Sequence, residues 1–264
     1  MELNGRVALV TGGSHGIGAE TAVALAEGGA DVAIVSRSGD EAAAEVIARV
    51  EAAGRRGISL TGDMARADDC RRVVEEAARE LGGVDVLVHN AGGNVPGPID
   101  GEEVEAAWYA AFDVHVHAAF HLVRAALPHL RRGAAGQRDG RDGATGAPGA
   151  AIILVASVAG LRGVTGITPY STVKGALLQF GRSLASELAD DNIRVNCISP
   201  GIIRTRFHAG MSEDAKQHNL SHRIPLHREG TPEQIAEGIR FLAVNDYITG
   251  ENITLDGGLT MRMR

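Results

Sequence analysis

The sequence predicts an α/β protein with one doubly wound domain over residues 1–264, in which helices cover both faces of a parallel sheet of about seven strands. Three observations support this fold class. Short runs of β-branched residues alternate with long amphipathic stretches along the chain. Most of the short runs are continuously apolar, as parallel strands are when helices cover both of their faces. Glycines cluster directly after the first run, where a strand would meet a helix.

The alternation gives each element its place in the chain. The apolar runs predict strands at 6–11, 31–36, 57–61, 84–89, 151–156, 193–199 and 252–256. The amphipathic stretches predict helices over 16–28, 40–53, 67–81, 102–131, 169–189 and 231–243. The last helix has the clearest start, because Thr231 can cap it, Pro232 suits its first position and Gln234 completes a capping box.

One stretch interrupts the alternation. Residues 131–150 are rich in glycine and alanine, with scattered charges and a proline. A segment of this composition cannot bury enough apolar surface to order itself. We therefore predict a flexible insertion here, between a helix and a strand.

The composition argues against several classes of partner and location. A net charge of -7 and a pI near 5.8 argue against nucleic acid or an anionic membrane as the main partner. No run approaches the ~18 apolar residues of a membrane helix, and the first residues lack a long apolar stretch, so we expect neither a membrane span nor a signal peptide. The two cysteines, Cys70 and Cys197, are far apart, which favours reduced thiols and a cytoplasmic location.

The glycine cluster predicts a phosphate-binding turn. In "VALVTGGSHGIG", Gly12, Gly16 and Gly18 follow the first strand and open the first helix with the spacing G-x-x-x-G-x-G. Small residues let the backbone approach a pyrophosphate, and the start of a helix offers unpaired N–H groups and partial positive charge. We therefore expect a dinucleotide cofactor at this turn.

A tyrosine and a lysine share one face of the fifth predicted helix. Tyr170 and Lys174 are four residues apart, which places their Cβ atoms roughly 5–6 Å from each other. A cation at this distance favours the phenolate, so the spacing predicts a lowered pKa for Tyr170.

Six motifs of the chain are similar to those of the short-chain dehydrogenase/reductase family, in its single-domain branch. "TGGSHGIG" matches the family's Thr-Gly-x-x-x-Gly-x-Gly turn, and "HNAGG" (89–93) is similar to its Asn-Asn-Ala-Gly element. "SVAG" (157–160) and "YSTVK" (170–174) are similar to its catalytic elements. "SPGIIRT" (199–205) resembles its nicotinamide loop, and "LDGG" (255–258) its C-terminal element. The resemblance spans nearly the whole chain except the insertion, and implies a Rossmann-like fold with NAD(P)-dependent hydride transfer.

The resemblance implies catalytic roles for Ser157, Tyr170 and Lys174. Tyr170 would donate a proton to a carbonyl or accept one from an alcohol, and Ser157 would orient the substrate oxygen. Lys174 would lower the pKa of Tyr170 and also bond the nicotinamide ribose. The family often carries an asparagine where this chain has His115. We expect His115 either to replace it in a proton relay, with an imidazole that could titrate near neutral pH, or merely to pack in its helix.

The end of the second predicted strand favours NADP(H), with NAD(H) still possible. An acid there would bond the ribose 2′-hydroxyl of NAD, whereas this chain has Ser36 and then Arg37. Arg37 could pair with a 2′-phosphate, and His15 could add a further donor. The resemblance implies further cofactor contacts from Ser14, Ile17, Asp63, Met64, Asn90, Ala91, Gly92, Pro200, Gly201, Ile203 and Thr205, besides the glycines, Tyr170 and Lys174.

Residues 204–228 are predicted to form a substrate flap. Arginines and histidines outnumber acids there, which suggests a polar or anionic substrate, although an ordinary solvated surface is the alternative. Its histidines lack a tight ligand arrangement, so we expect no metal.

The leading expectation is an enzyme that interconverts a ketone and a secondary alcohol on a small polar substrate. A 3-oxoacyl-thioester reductase is the alternative among enzymes, and an NADP-binding sensor or regulatory protein is the alternative outside them. By resemblance we expect a homotetramer that assembles through the helices around 112–131 and 169–189.

Overall fold

A computed structural model describes residues 1–39, 41–136, 149–208 and 210–261. Seven parallel strands form one sheet in the order β3-β2-β1-β4-β5-β6-β7. The strands are β1 (Val7–Thr11), β2 (Asp31–Ser36), β3 (Gly57–Thr61), β4 (Val86–His89), β5 (Ala150–Val155), β6 (Ile193–Pro200) and β7 (Asn252–Leu255). The predicted doubly wound sheet is therefore confirmed, and the strand order reverses between β1 and β4, where a crevice opens at the carboxyl ends.

Helices cover both faces of the sheet. They are α1 (Gly16–Glu27), α2 (Glu41–Ala52), α3 (Ala67–Leu81), α4 (Val104–Ala111), α5 (Ala118–Ala134), α6 (Thr168–Leu188), α7 (Glu213–His218) and α8 (Pro232–Val244). The start of α8 is as predicted, because Thr231 and Gln234 form the capping box and Pro232 occupies the first turn.

The core consists of two apolar layers, one on each face of the sheet. Alternate residues of a strand point to opposite faces. Leu9 thus joins the layer under α3, α5 and α6, whereas Val10 joins the layer under α1, α2 and α8. The central strands are buried throughout, while the edge strands β3 and β7 are only partly buried.

The helix predicted over 102–131 differs from the structure. It begins at Val104, is interrupted by a π-helical segment at Phe112–His117, and continues as α5 to Ala134. Helix α5 therefore includes the first residues of the predicted insertion 131–150, of which 137–148 lie outside the described residues. A close packing contact explains the extension: the Gly133 carbonyl accepts a hydrogen bond from Arg6 at 3.1 Å, and a Cβ on Gly133 would lie 2.1 Å from Asp85 Oδ1.

Candidate active site

The glycine turn has the backbone geometry of a phosphate cradle. Gly12 has φ +64° and Gly16 has φ +53°, a region that glycine adopts readily. A Cβ on Gly18 would lie 2.1 Å from the Gly12 carbonyl oxygen, so the turn could not close around a larger residue. A Cβ on Gly16 would meet the Thr205 methyl group at 3.1 Å. The turn is therefore tightly packed at the start of α1 and is bordered by the loop that follows β6.

The loop after β4 is tied to this turn by hydrogen bonds. Asn90 Nδ2 donates to the carbonyls of Thr11 and Gly12 at 3.2 and 3.1 Å. The backbone N–H groups of Asn90 and Ala91 both donate to Thr11 Oγ1 at 3.1 Å. Asn90, Ala91 and the adjacent Gly92, which were predicted to contact the cofactor, therefore lie beside the glycine turn.

His15 links the turn to the flap. Arg206 Nη1 is 2.7 Å from His15 Nε2, and Ser14 Oγ is 2.9 Å from His15 Nδ1. A guanidinium can only donate, so Nε2 accepts and the ring proton lies on Nδ1, which donates to Ser14. His15 therefore accepts the hydrogen bond of Arg206, which brings a guanidinium beside the glycine turn, and His15 stays a predicted cofactor contact.

The residues predicted to contact the adenosine of the cofactor differ in how exposed they are. Ser36 is buried at the end of β2, and Arg37 is exposed directly after it. The Asp63 carboxylate is exposed and accepts a hydrogen bond from the Ala65 N–H at 3.0 Å, as the cap of a turn does. Met64 is buried in the core. Asp63 and Met64 remain predicted adenine contacts.

The segment after β6 folds back over the glycine turn. Gly201 passes close to Asp256, since a Cβ on Gly201 would lie 2.7 Å from the Asp256 Cα. Ile203 is buried and forms an isolated parallel bridge with Gly230. These contacts bring Thr205 beside the glycine turn, and its contact with the cofactor stays a prediction. Pro200 ends β6 at the start of this loop, and Ile17 packs against the apolar layer under α1.

The structure brings the three predicted catalytic residues together. Ser157 lies close enough to Tyr170 to affect its pKa, and the Ser157 Oγ accepts a hydrogen bond from the Ala159 N–H at 3.1 Å. Lys174 Nζ lies 5.6 Å from the centre of the Tyr170 ring and donates to the Val155 carbonyl at 2.7 Å. Gly160 lets this loop approach α6, because a Cβ there would lie 2.6 Å from the Lys174 backbone carbon.

The predicted lowering of the Tyr170 pKa is wrong for this structure. Burial raises the pKa of Tyr170, and only the hydrogen bond from Ser157 acts in the opposite direction. Burial also lowers the pKa of Lys174 to about 7, because the residue is only 4% exposed and its charged form is poorly solvated. Lys174 is therefore only partly charged at neutral pH, and of the two groups it is the amine that titrates near neutrality.

His115 lies against Tyr170 but does not titrate near neutral pH, contrary to expectation. The two ring centres are 5.8 Å apart in an edge-to-face arrangement, and His115 is 1% exposed. Burial, with the nearby Lys174, lowers the pKa of His115 to about 2. Nε2 is 3.2 Å from the Gly93 carbonyl and must donate to it, so Nδ1 is an acceptor, and it has no partner among the described residues.

His89 is a buried residue of this site that the sequence did not single out. Its Nε2 donates to the His115 carbonyl at 3.1 Å, within the π-helical segment. Its Nδ1 must then accept the hydroxyl proton of Thr11, 3.1 Å away. Burial lowers the pKa of His89 to about 4. The only sequence signal that could have identified His89 is the "HNAGG" motif, in which His89 stands where the family's element begins with asparagine.

The flap contributes an aromatic ring that the sequence also did not single out. Phe207 lies in a short 3-10 helix at Arg206–His208, and its ring centre is 5.8 Å from that of Tyr170. Residue 209 of the predicted flap lies outside the described residues. Within the described part of the chain, no group of three or more acidic, histidine or cysteine side chains could hold a metal, and no helix is long and apolar enough to cross a membrane.

Known proteins resemble this chain over almost its full length. A family model described as enoyl-(acyl carrier protein) reductase matches residues 12–260. A dehydrogenase/reductase SDR family member 4 of Oryctolagus cuniculus is 34% identical, over 99% of this chain and 96% of that protein. A glucose 1-dehydrogenase of Gluconobacter oxydans is 35% identical, over 97% of this chain and 92% of that protein. A solved structure of a short-chain dehydrogenase from Burkholderia cenocepacia in complex with NADP is 32% identical with a TM-score of 0.86, over 98% of this chain and 100% of that chain.

Proposed function

The chain belongs to the short-chain dehydrogenase/reductase family of NAD(P)-dependent oxidoreductases, and from this membership we propose that it interconverts a ketone and a secondary alcohol with NADP(H) as the preferred cofactor. One observation carries the proposal: Ser157 lies close enough to Tyr170 to affect its pKa, and the buried Lys174 amine lies 5.6 Å from the centre of the Tyr170 ring. These groups lie at the carboxyl ends of the strands, where ligands bind in open α/β sheets.

The residues of the glycine turn fit a dinucleotide. A Cβ on Gly18 would overlap the Gly12 carbonyl oxygen at 2.1 Å, so only glycine lets the turn pack this closely against the start of α1. The unpaired N–H groups of a helix N-terminus would bind the pyrophosphate there. Thr205 borders the same space, and Asn90 fixes the opposite wall. When bound, a nicotinamide dinucleotide supplies the donor or acceptor of hydride.

Side chains of the protein transfer the proton to and from the substrate oxygen. Burial keeps Tyr170 protonated at neutral pH, so Tyr170 can donate a proton to a substrate carbonyl. Ser157 would hold the substrate oxygen beside that hydroxyl. Protonated Lys174 would favour release of the Tyr170 proton, and its pKa of about 7 lets it exchange protons near neutrality.

We assign His115 a neutral role in place of a titrating relay. Its Nε2–H is held by the Gly93 carbonyl, so Nδ1 is a fixed acceptor beside Tyr170. An acceptor that is buried without a partner costs free energy, which a bound water or a substrate hydroxyl at Nδ1 would recover. His115 would thus position a hydrogen-bond donor in the site without changing its own charge.

The preference for NADP(H) rests on charge at the adenosine end. Ser36 supplies no negative charge at the end of β2, and Arg37 is exposed there. Arg206 adds a second guanidinium near the turn through its hydrogen bond to His15. The relative from Burkholderia cenocepacia was solved with NADP, which supports the same preference.

The polarity of the substrate is less well supported than its carbonyl chemistry. The flap arginines bond to other residues of the chain: Arg204 to Glu229, Arg206 to His15, Arg223 to Asn219 and Arg228 to Gln234. Of these partners only Glu229 is an acid, so only the charge of Arg204 is offset by these bonds. A polar or anionic substrate stays a prediction. A homotetramer, a single domain over 1–264 and a cytoplasmic location stay predictions.

A turnover screen tests the proposal. Purified protein is incubated with NADPH or NADH and a panel of ketones, and in the reverse direction with alcohols, while absorbance at 340 nm is followed. We expect turnover of at least one ketone, with kcat/KM at least tenfold higher for NADPH. Arg37→Ala should reduce that preference, because a charge-assisted hydrogen bond contributes roughly 1.5–3 kcal/mol.

Three other results would change the assignment. Binding of NADPH without turnover of any compound would favour a sensor or regulatory protein. Turnover confined to 3-oxoacyl thioesters would favour the acyl-thioester reductase. An equal kcat/KM for the two cofactors would contradict the NADP(H) preference alone.

A further inference from the structure

Tyr170 packs against two rings of different exposure. His115 is buried, and its ring meets Tyr170 edge to face. Phe207 is 41% exposed, and its ring is tilted by 47° to that of Tyr170 at 5.8 Å between centres. Tyr170 itself is only 8% exposed. Of the two rings in contact with Tyr170, Phe207 is therefore the one that a molecule in solution can reach.

The β4 loop leaves space for a substrate near this pair. A Cβ built on Gly93 would meet no atom within 4 Å among the described residues, although the Gly93 carbonyl is held by His115. Space is therefore open on the loop that contacts His115, while the flap presents an aromatic ring. A substrate carbonyl that reaches the Tyr170 hydroxyl would bring its neighbouring group against Phe207.

We propose that Phe207 is the residue that determines substrate specificity, and that the substrate carries a flat apolar group, such as an aryl ring, directly next to its carbonyl carbon. The inference rests on the proposed ketone and alcohol chemistry and names the class of ketone. A partly exposed phenyl ring gains from losing its contact with water, and a stacked aromatic pair gains further from its geometry. A polyol or carboxylate in the same place would lose hydration without gaining a polar partner from that ring.

Paired substrates test this assignment. The ratio of kcat/KM for acetophenone to kcat/KM for dihydroxyacetone is measured with NADPH in the wild type, Phe207→Ala and Phe207→Leu. Phe241→Ala is the matched control, because Phe241 is 44% exposed, close to the exposure of Phe207. Phe241 lies in α8, near the end of the sheet opposite the site. Its neighbour Leu242 accepts a hydrogen bond there from Arg194, near the start of β6.

The wild type should prefer acetophenone, and Phe207→Ala should lower the ratio about three- to tenfold, as expected for loss of one aromatic pair. Phe207→Leu should give an intermediate ratio, and Phe241→Ala the wild-type ratio. Thermal unfolding of each variant shows whether it is folded.

Contrary outcomes separate this inference from the function on which it rests. If folded Phe207→Ala loses activity equally on both ketones, or if the wild type prefers dihydroxyacetone, Phe207 does not select the substrate, while the ketone chemistry stands. If the wild type turns over no ketone or alcohol at all, the proposed function and the inference both fail.

Discussion

The Lys174 amine is the group of the site whose charge changes near neutral pH. Among the described residues no carboxylate lies beside it to stabilise its charge, and its hydrogen bond goes to the Val155 carbonyl. Burial therefore determines its pKa, which is about 7. Tyr170 is one helical turn away, so the charge that assists its proton transfer depends on pH.

NMR can measure this titration directly, because the chain has only two lysines, Lys174 and Lys216. In protein labelled at lysine Cε, we expect one signal to titrate near pH 7 and to be absent from Lys174→Arg. Lys216→Arg assigns the other signal. A Lys174 signal that titrates only above pH 9 would contradict the effect of burial.

The imidazole of His115 is expected to leave the pH dependence of catalysis unchanged. Its pKa of about 2 keeps it neutral at every pH at which the enzyme would be assayed. His115→Asn should therefore keep the inflections of kcat/KM against pH, although the rate itself falls if Nδ1 positions a donor. An inflection near pH 6–7 that disappears in His115→Asn would show instead that the imidazole titrates in catalysis.

At the scale of single elements, the glycine turn leaves no room for a larger residue at Gly18. In Gly18→Ala the new methyl group would overlap the Gly12 carbonyl and Asn90 Nδ2, at 2.1 and 2.6 Å. The backbone would have to shift to relieve this overlap, which typically destabilises the folded protein by about 1–3 kcal/mol. We expect at least tenfold weaker NADPH binding, measured by fluorescence titration.

Gly163→Ala is the control for this substitution, because a Cβ there meets nothing within 4 Å among the described residues. It should bind NADPH as the wild type does. Equal NADPH affinity in Gly18→Ala and the wild type would show that the turn does not form the cofactor cradle.

Sequence reasoning worked best where one local signal determines the element. Glycine spacing located the turn, and capping residues located the start of α8 at Thr231. It failed for the helix predicted over 102–131, because the apolar pattern continues through Phe112–His117 while the backbone there widens into a π-helix. The carbonyl of His115 bonds His89, which is distant in sequence, so this irregularity depends on tertiary contacts.

At the scale of the whole molecule, the buried histidines link stability to pH. The unfolded chain protonates histidine below about pH 6.5, whereas burial keeps folded His89 neutral to about pH 4 and His115 to about pH 2. Between pH 6.5 and pH 4 the unfolded state therefore binds more protons. The free energy of unfolding should fall as the pH falls through this range, by about 1.4 kcal/mol per pH unit for each such histidine.

Denaturant unfolding at pH 6.5, 5.5 and 4.5 measures this slope. His89→Asn should make it shallower, whatever its effect on stability at pH 7, while the exposed residue His117 provides the control His117→Asn. An unchanged slope in His89→Asn would mean that folded His89 titrates as it does in the unfolded chain.

The whole-molecule fold was largely predictable, whereas the finer properties of the site were not. The sheet and the grouping of Ser157, Tyr170 and Lys174 follow from strand alternation and motif order. The contact of Phe207 with Tyr170 joins two distant segments, and the pKa of Lys174 depends on how completely the fold excludes water. Neither property has a signal in local sequence.

The proposed reaction depends most on Tyr170 as the proton donor. The direct test compares Tyr170→Phe with the wild type, using NADPH and the best ketone from the screen, with NADPH affinity measured separately. We predict a loss of roughly 10²–10⁴-fold in kcat/KM, the usual contribution of a positioned acid, with NADPH still bound. Turnover by Tyr170→Phe at the wild-type rate would contradict the account.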